Sequence, residues 1–324
     1  MKKKWKPSAS IKDLIKRSKI IANIRSFFLK KNVMEVETPT LSQSAVTDIN
    51  LMPFETNYFS CNNDVKKTKL WLITSPEYHM KRLLSAGSGS IYQICHSFRN
   101  QEFGQYHNPE FTMLEWYQIS FSMEKMIEEI DFFFQKILNF DKSDKISYQE
   151  IFIKFLQIDP LSTNLSELFE CCKKFKLEHL TYLENDLNKL IEMLFTLQIQ
   201  PFLGKEKPLF VYHFPLEQAS LSAVNKEDNR VSERFEIFFK GIELGNGFYE
   251  LTDYFEQKKR FIKDNKKRCD MNFPKQKIDE HFLNAMKNGL PFCSGVAIGL
   301  DRLIMIALNK KSIDQVMSFS FDRS

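Results

Sequence analysis

Apolar positions in this chain follow two repeats, one near 3.6 residues and one near two, and the repeats take turns along its length. Ile11, Leu14, Ile15, Ile21, Ile24 and Phe28 recur at helical spacing behind Ser10 and Asp13, an S-x-x-D start, and predict an amphipathic helix over 11–31. Residues 33–38 are short, partly β-branched and stopped by Pro39, which reads as a strand. A strand over 70–74 leads through Ser75, Pro76 and Glu77 into a helix over 78–86 that Gly87 ends; residues 57–69 between are polar, a loop or hairpin end. Segments 90–98 and 110–119 read as an antiparallel hairpin whose long tip holds the turn formers Gly104, Asn108 and Pro109. Helices are expected over 122–139 and over 147–157, the second opened by a Ser147–Glu150 capping box. Helices over 165–175 and 186–197 form a helical insertion at about 160–200 that carries no evident chemistry. Strands over 209–214, 234–240 and 242–252 follow, the last two turning at Gly241, then helices over 253–271 and 278–288, and a strand passing into a helix from Gly295 to Leu303.

The hairpin is unusual in where its polar residues fall. Arg99, Gln101, Glu102, His107 and Glu110 sit where strand meets loop, with Glu115 and Tyr117 further along. One Arg there is ordinarily a solvated side chain; the whole set is more than a structural hairpin needs. Glu77 at a helix start has an ordinary role against the helix dipole. Glu236 and Glu243, seven residues apart, converge if Gly241 makes a tight turn, and otherwise are solvent-facing charges on an edge. Gly245 and Gly247 flank Asn246, which suggests close backbone approach to a ligand.

Composition removes other possibilities. The six cysteines show neither CxxC nor Cys/His ligand spacing, so they read as reduced packing thiols, with the Cys171–Cys172 pair among them. The net charge of +5, with Lys2, Lys3, Lys4 and Lys6 at the front, fits an acidic protein or nucleic-acid partner as well as a solvated tail. The run 295–308 is broken by Asp301 and Arg302 and is too short for a bilayer, and no signal peptide is visible; the expectation is a cytoplasmic protein without a membrane partner. The lysines and arginines of 258–268 read as a solvated helix face.

Arg99-Asn100-Gln101 with the string from His107 to Glu115 resembles the second motif of class II aminoacyl-tRNA synthetases, lysyl branch. The helix–strand–proline unit over 11–39 resembles their first motif, and the string from Gly295 to Leu303 their third. The string from Gly241 to Asp253 is similar to the lysine-pocket strand of lysyl-tRNA synthetases. The resemblance implies an α+β fold, a six- or seven-stranded antiparallel sheet flanked by helices rather than a Rossmann sheet, as one catalytic domain over 1–324. It also implies adenylate chemistry. Arg99 would hold the α-phosphate of ATP and the substrate carboxylate together, the task of a planar bidentate cation where two anions must meet. Arg302 would lie against adenine and phosphates, with Asn108 also on the nucleotide, and Asn100, Gln101, Glu243, Leu244 and Gly299 would line the ATP site. Glu236 and Glu243 would hold Mg²⁺. Glu77, Tyr117, Asn246 and Glu250 would read the ammonium groups of a diamino acid, on a bed shaped by Ser75, Pro76 and Ala297.

Three departures from the lysyl pattern sharpen this. The chain opens at the first motif, where those synthetases carry an anticodon-reading barrel. Ala297 replaces a glycine, and one methyl group in a pocket floor is worth roughly 1–3 kcal/mol of discrimination. Gln101 stands where an acid usually accepts from the adenine amino group. Over its whole length the chain is similar to the elongation factor P (R)-β-lysine ligases, a truncated paralogue family; the strings from Thr74 to Leu83 and from Gly204 to Pro208 add to that likeness. The family activates (R)-β-lysine with ATP and passes it to the ε-amine of a lysine on elongation factor P. The resemblance thus implies elongation factor P as partner rather than tRNA, and a homodimer through the first motif. A tRNA-charging enzyme and a non-catalytic amino-acid-binding paralogue remain the alternatives.

Overall fold

The computed structural model describes residues 5–60, 67–184 and 186–324; Lys2, Lys3, Lys4, Cys61 and most of the polar loop after Ser60 lie outside them. The chain divides into two compact units, one of 1–121 with 252–324 and one of 122–251.

In the first unit the strands Met34–Glu35, Ile91–Phe98, Glu110–Ile119 and Cys293–Gly299 lie side by side in that order. Two of the three pairings are antiparallel, whereas Met34–Glu35 runs parallel to Ile91–Tyr92. The sheet is therefore mixed, and the expected strand over 33–38 is reduced to two residues at its edge. The central Glu110–Ile119 strand is buried along most of its length because it is flanked on both sides. Its even-numbered side meets the Ile11–Lys30 helix: Trp116 is fully buried, and Phe28 stacks on Tyr92 and abuts Trp116 edge-on. Ser10 accepts from the Asp13 amide to start that helix. The Glu77–Ser85 helix packs by Tyr78 on Phe282 of the Glu280–Gly289 helix, rings parallel at 4.7 Å. In a separate sheet of Leu41–Ser42, Lys67–Leu72 and Glu55–Phe59 the middle strand answers to the one expected over 70–74, whereas Glu55–Phe59 was not foreseen because it is exposed at every position and shows no alternation.

In the second unit Arg234–Phe239 and Ile242–Tyr249 form a hairpin, Leu209–Tyr212 adds antiparallel, and Asp144–Ser147 adds parallel at the edge. Lys240 and Gly241 both have positive φ (52° and 75°), the two-residue turn whose twist suits a hairpin. A Cβ at Gly241 would come within 2.9 Å of the Pro201 carbonyl oxygen, so glycine is required twice over. Helices Tyr148–Leu156, Leu165–Lys174, Glu178–Leu183 and Leu187–Leu194 close a core of Tyr148, Phe152, Leu190, Leu194, Phe195, Val211 and Phe238. Cys171 and Cys172 are buried in it as free thiols. The Ser147–Glu150 capping box is fully formed, and Ser122 caps the Met123–Leu138 helix.

Candidate functional site

Strand alternation sets the site in the first unit. Phe111, Met113, Glu115 and Tyr117 share the side of their strand away from Trp116. Glu115 stands between Gln93 and Ala297, and Tyr117 between Ile91 and Gly295, so that side of the sheet carries Gln93, Glu115, Tyr117 and Ala297 together. Glu115 is buried and accepts from the Tyr117 hydroxyl at 2.6 Å. Cys95 lies on the same side; burial, helped by the charge of Glu115, pushes its thiol up to about 12, so it stays protonated at neutral pH. Arg99 follows the strand end with its guanidinium 5.2 Å from the Phe111 ring centre, and its amide donates to the Pro109 carbonyl across the hairpin mouth. Its Nε is buried without a hydrogen-bond partner among the described residues, a donor ready for an anion.

The other side of the same strand fixes the second arginine. Asp301, buried in the first turn of the Leu300–Ala307 helix, takes Arg17 Nη1 at 2.6 Å and the Thr112 amide at 2.7 Å. Arg17 also donates to the Thr112 hydroxyl. The helix start is thereby tied to the strand, and the next residue, Arg302, donates from Nε to the carbonyl of Tyr106 in the hairpin tip. Arg99 and Arg302 thus both attach to one hairpin.

Glu77 opens its helix and is gripped by Lys81 one turn on, at 2.6 Å, with the lysine fully buried. Its carboxylate does not merely face the helix dipole. Ser75 Oγ accepts weakly from the Glu77 amide, and Ser75 joins Ser42, Ser44, Thr74, Tyr78 and His79 around a recess. The Thr74 hydroxyl is buried there without a partner among the described residues, and burial holds His79 below the usual imidazole range.

The second unit holds the other acids. A bulge between Glu243 and Gly245 shifts the register, so that Glu243 faces Phe238 while Asn246 faces Glu236. The extra residue puts Glu243, Asn246 and Glu236 on one side. Arg234 pairs with Glu236 at 2.5 Å and donates to Asn246 Oδ1 at 3.3 Å. Burial raises Glu236 to about 7 against the pull of Arg234, and the charge of Glu243 raises it further. Half-buried carboxylates that repel one another suit a divalent cation, which would offset both effects. Among the described residues no group of three or more His, Cys, Asp or Glu is placed to hold a metal, so this carboxylate pair would need oxygen ligands from the substrate. Glu250 is buried further along the same strand line, beside Ser222.

The family model for class II tRNA synthetases (D, K and N) matches residues 4–323. The chain belongs to this family. Among its curated relatives is the elongation factor P--(R)-beta-lysine ligase of Buchnera aphidicola subsp. Schizaphis graminum (strain Sg), 84% identical over 324 residues, the whole of both chains. Proteins of the same name from Buchnera aphidicola subsp. Acyrthosiphon pisum, strains APS and Tuc7, are 70% identical, again over the whole of both chains. No helix among the described residues is long and apolar enough to cross a membrane.

For this class II chain, sequence reasoning missed Lys81 and Arg17 and noticed Glu115 without giving it a role. Lys81 was signalled by its i+4 spacing from Glu77. Glu115 was visible as a carboxylate inside an apolar alternation, but its burial followed only from strands on both flanks. The hold of Arg17 on Asp301 links residues 284 apart and left no local sign. Asn100 and Gln101 form the first turn of the loop, the Asn100 side chain accepting from the Gln101 amide, with Gln101 at φ 68°. Leu244 is buried at the bulge, and Gly299 ends its strand at the helix start.

Proposed function

We propose that this protein is an ATP-dependent ligase that activates (R)-β-lysine as an adenylate and transfers it to the ε-amine of a lysine on elongation factor P. The observation carrying this is the hairpin of Ile91–Ile119, which holds Arg99 over Phe111 and engages Arg302 at its tip. Full-length identity to relatives bearing that ligase name supports the choice of substrate and acceptor.

In the first step the substrate carboxylate attacks the α-phosphorus of ATP and pyrophosphate leaves. Arg99 bridges carboxylate and α-phosphate, offsetting the repulsion of two anions and fixing their approach. Arg302 stacks along the adenine and neutralises phosphate charge. Asn100, Gln101, Leu244 and Gly299 line the nucleotide, and Asn108 belongs to the loop that receives it. Glu77, held by Lys81, and Tyr117, held by Glu115, take one ammonium group; Ser75, Pro76 and Ala297 shape the bed. In the second unit Glu250 and Asn246 take the other. Glu236 and Glu243 would hold Mg²⁺, which supplies charge neutralisation to the triphosphate. In the second step the acceptor amine attacks the mixed anhydride and AMP leaves. A single catalytic domain, a cytoplasmic location and a homodimer through the Ile11–Lys30 helix belong to the same proposal. The exposed Ile11, Ile15 and Leu29 on that helix support the dimer.

The test is ATP–pyrophosphate exchange with lysine isomers, followed by the intact mass of elongation factor P after reaction, with bulk tRNA as the competing acceptor. Arg99→Ala is expected to lower exchange by roughly 10²–10³-fold. Exchange retained by that variant, or label passing to tRNA instead of protein, defeats the proposal.

A further inference from the structure

The hairpin tip that carries the nucleotide loop is held from outside by residues far along the chain. Residues 104–107 close on themselves, with reciprocal backbone bonds between Gly104 and His107. Around this tight turn, Gln105 Nε2 donates to the Lys311 carbonyl at 2.7 Å, and the Ile313 amide donates back to the Gln105 carbonyl. Asn108 is buried, and its amide is committed at both ends. Nδ2 donates to the Glu110 carbonyl at 2.7 Å, while Oδ1 accepts from the Phe321 amide at 3.0 Å. A flipped amide would set donor against donor and acceptor against acceptor, so these two partners fix its orientation. Beside it the Phe321 ring meets the Phe103 ring edge-on at 5.8 Å. The 317–321 stretch is itself moored, through Ala9 donating to the Met317 carbonyl, Ser8 donating to the Ser318 carbonyl and Ser8 Oγ against Ser320 Oγ.

We infer that the 317–321 stretch is a brace for the ATP loop, and that Asn108 is a positioning residue through which it acts rather than a contact to the nucleotide. The inference rests on the proposed adenylate chemistry, which gives the loop its task. Asn108 is buried, with one of its two N–H donors and its carbonyl oxygen engaged by backbone, and these bonds set its side chain as a tie within the loop. What it does is hold the turn between Arg99 and Glu110, so that the loop backbone is set before ATP arrives. An unbraced loop would have to be ordered at the moment of binding, which weakens nucleotide affinity without touching the amino-acid pocket.

The test compares Asn108→Ala, Asn108→Asp and Phe321→Ala with the parent in ATP–pyrophosphate exchange, titrating ATP and the amino acid separately and recording each melting curve. Asn108→Ala is expected to raise KM for ATP about tenfold while KM for the amino acid changes less than about twofold. Asn108→Asp keeps the acceptor for Phe321 but sets a buried carboxylate oxygen against the Glu110 carbonyl, so it should raise KM for ATP at least as much as Asn108→Ala. Phe321→Ala, which touches no part of the proposed pocket, should move KM for ATP in the same direction, and the double variant should be less than the sum. Unchanged KM for ATP in Phe321→Ala with full melting temperature overturns the brace. Parallel rises in both KM values mean general loosening and also overturn it. If the parent itself shows no exchange with any lysine isomer, it is the ligase reading that fails, which keeps the two outcomes apart.

Discussion

Replacing Asp301 with alanine tests whether the third-motif helix is pinned as described. The carboxylate is buried, with its side chain about 4% exposed against 15% for Arg17. It accepts two short bonds, one from a guanidinium and one from the Thr112 backbone amide. Removing it leaves Arg17 with the Thr112 hydroxyl and a long contact to the Val316 carbonyl, and leaves the Thr112 amide without its acceptor. Breaking a buried pair from one side costs about 3–5 kcal/mol, because the remaining charge keeps its desolvation and loses its compensation. At about 2–4 °C per kcal/mol, the transition of the unit made of 1–121 and 252–324 should fall by roughly 6–20 °C in scanning calorimetry. Asp301→Asn, which retains one acceptor oxygen, should lose less. Arg17→Met combined with Asp301→Ala should recover part of the loss, since no buried cation is then stranded. If Asp301→Ala melts within about 1 °C of the parent, the network is ornamental and Arg302 must be placed by something else.

Further expectations concern the acids and the pocket floor. Glu236 is raised to about 7 from an ordinary value near 4.5, so the folded state keeps a proton that the unfolded chain releases. Its contribution is whole below about pH 4.5 and is lost as pH climbs towards 7; Glu236→Gln should flatten the stability profile across that window, and an unchanged slope would contradict the assignment. Lys81→Met should raise KM for the amino acid at least about tenfold while KM for ATP stays put, since the buried ammonium orients Glu77 and not the nucleotide loop; equal effects on both substrates would count against it. Ala297→Gly should shift preference towards α-lysine by about tenfold or more in exchange assays, and no change in the isomer ratio would remove Ala297 from the pocket.

Much of this was visible in the sequence wherever one local rule decided the outcome. The Met123–Leu138 helix declares itself by its apolar stripe, by Ser122 before it and by Asn139 in the left-handed region after it. The Ile91–Ile119 hairpin was marked by its alternation and by Gly104, Asn108 and Pro109. What escaped was decided by neighbours. Asp144–Ser147 is a strand only because Leu209–Tyr212 lies parallel beside it, and four residues are too few to display a period. Glu243 and Asn246, three apart, would face opposite ways on a regular strand, and only the bulge unites them. Asn108 carried the right name for a ligand, yet its hydrogen bonds go to backbone 2 and 213 positions away.

The bulge beside Leu244 has a consequence for how this strand can vary. It works as a phase shifter: upstream and downstream of it, odd and even positions exchange meaning. Were the strand regular with Leu244 retained, Glu243 would turn its back on Asn246 and Glu250; without Leu244 the two would stand two apart and share a side with no bulge at all, Glu243 beside Asn246. Loss of Leu244 would therefore straighten the strand and spare the shared side, whereas loss of a residue between Asn246 and Glu250 would turn Glu250 to the opposite face.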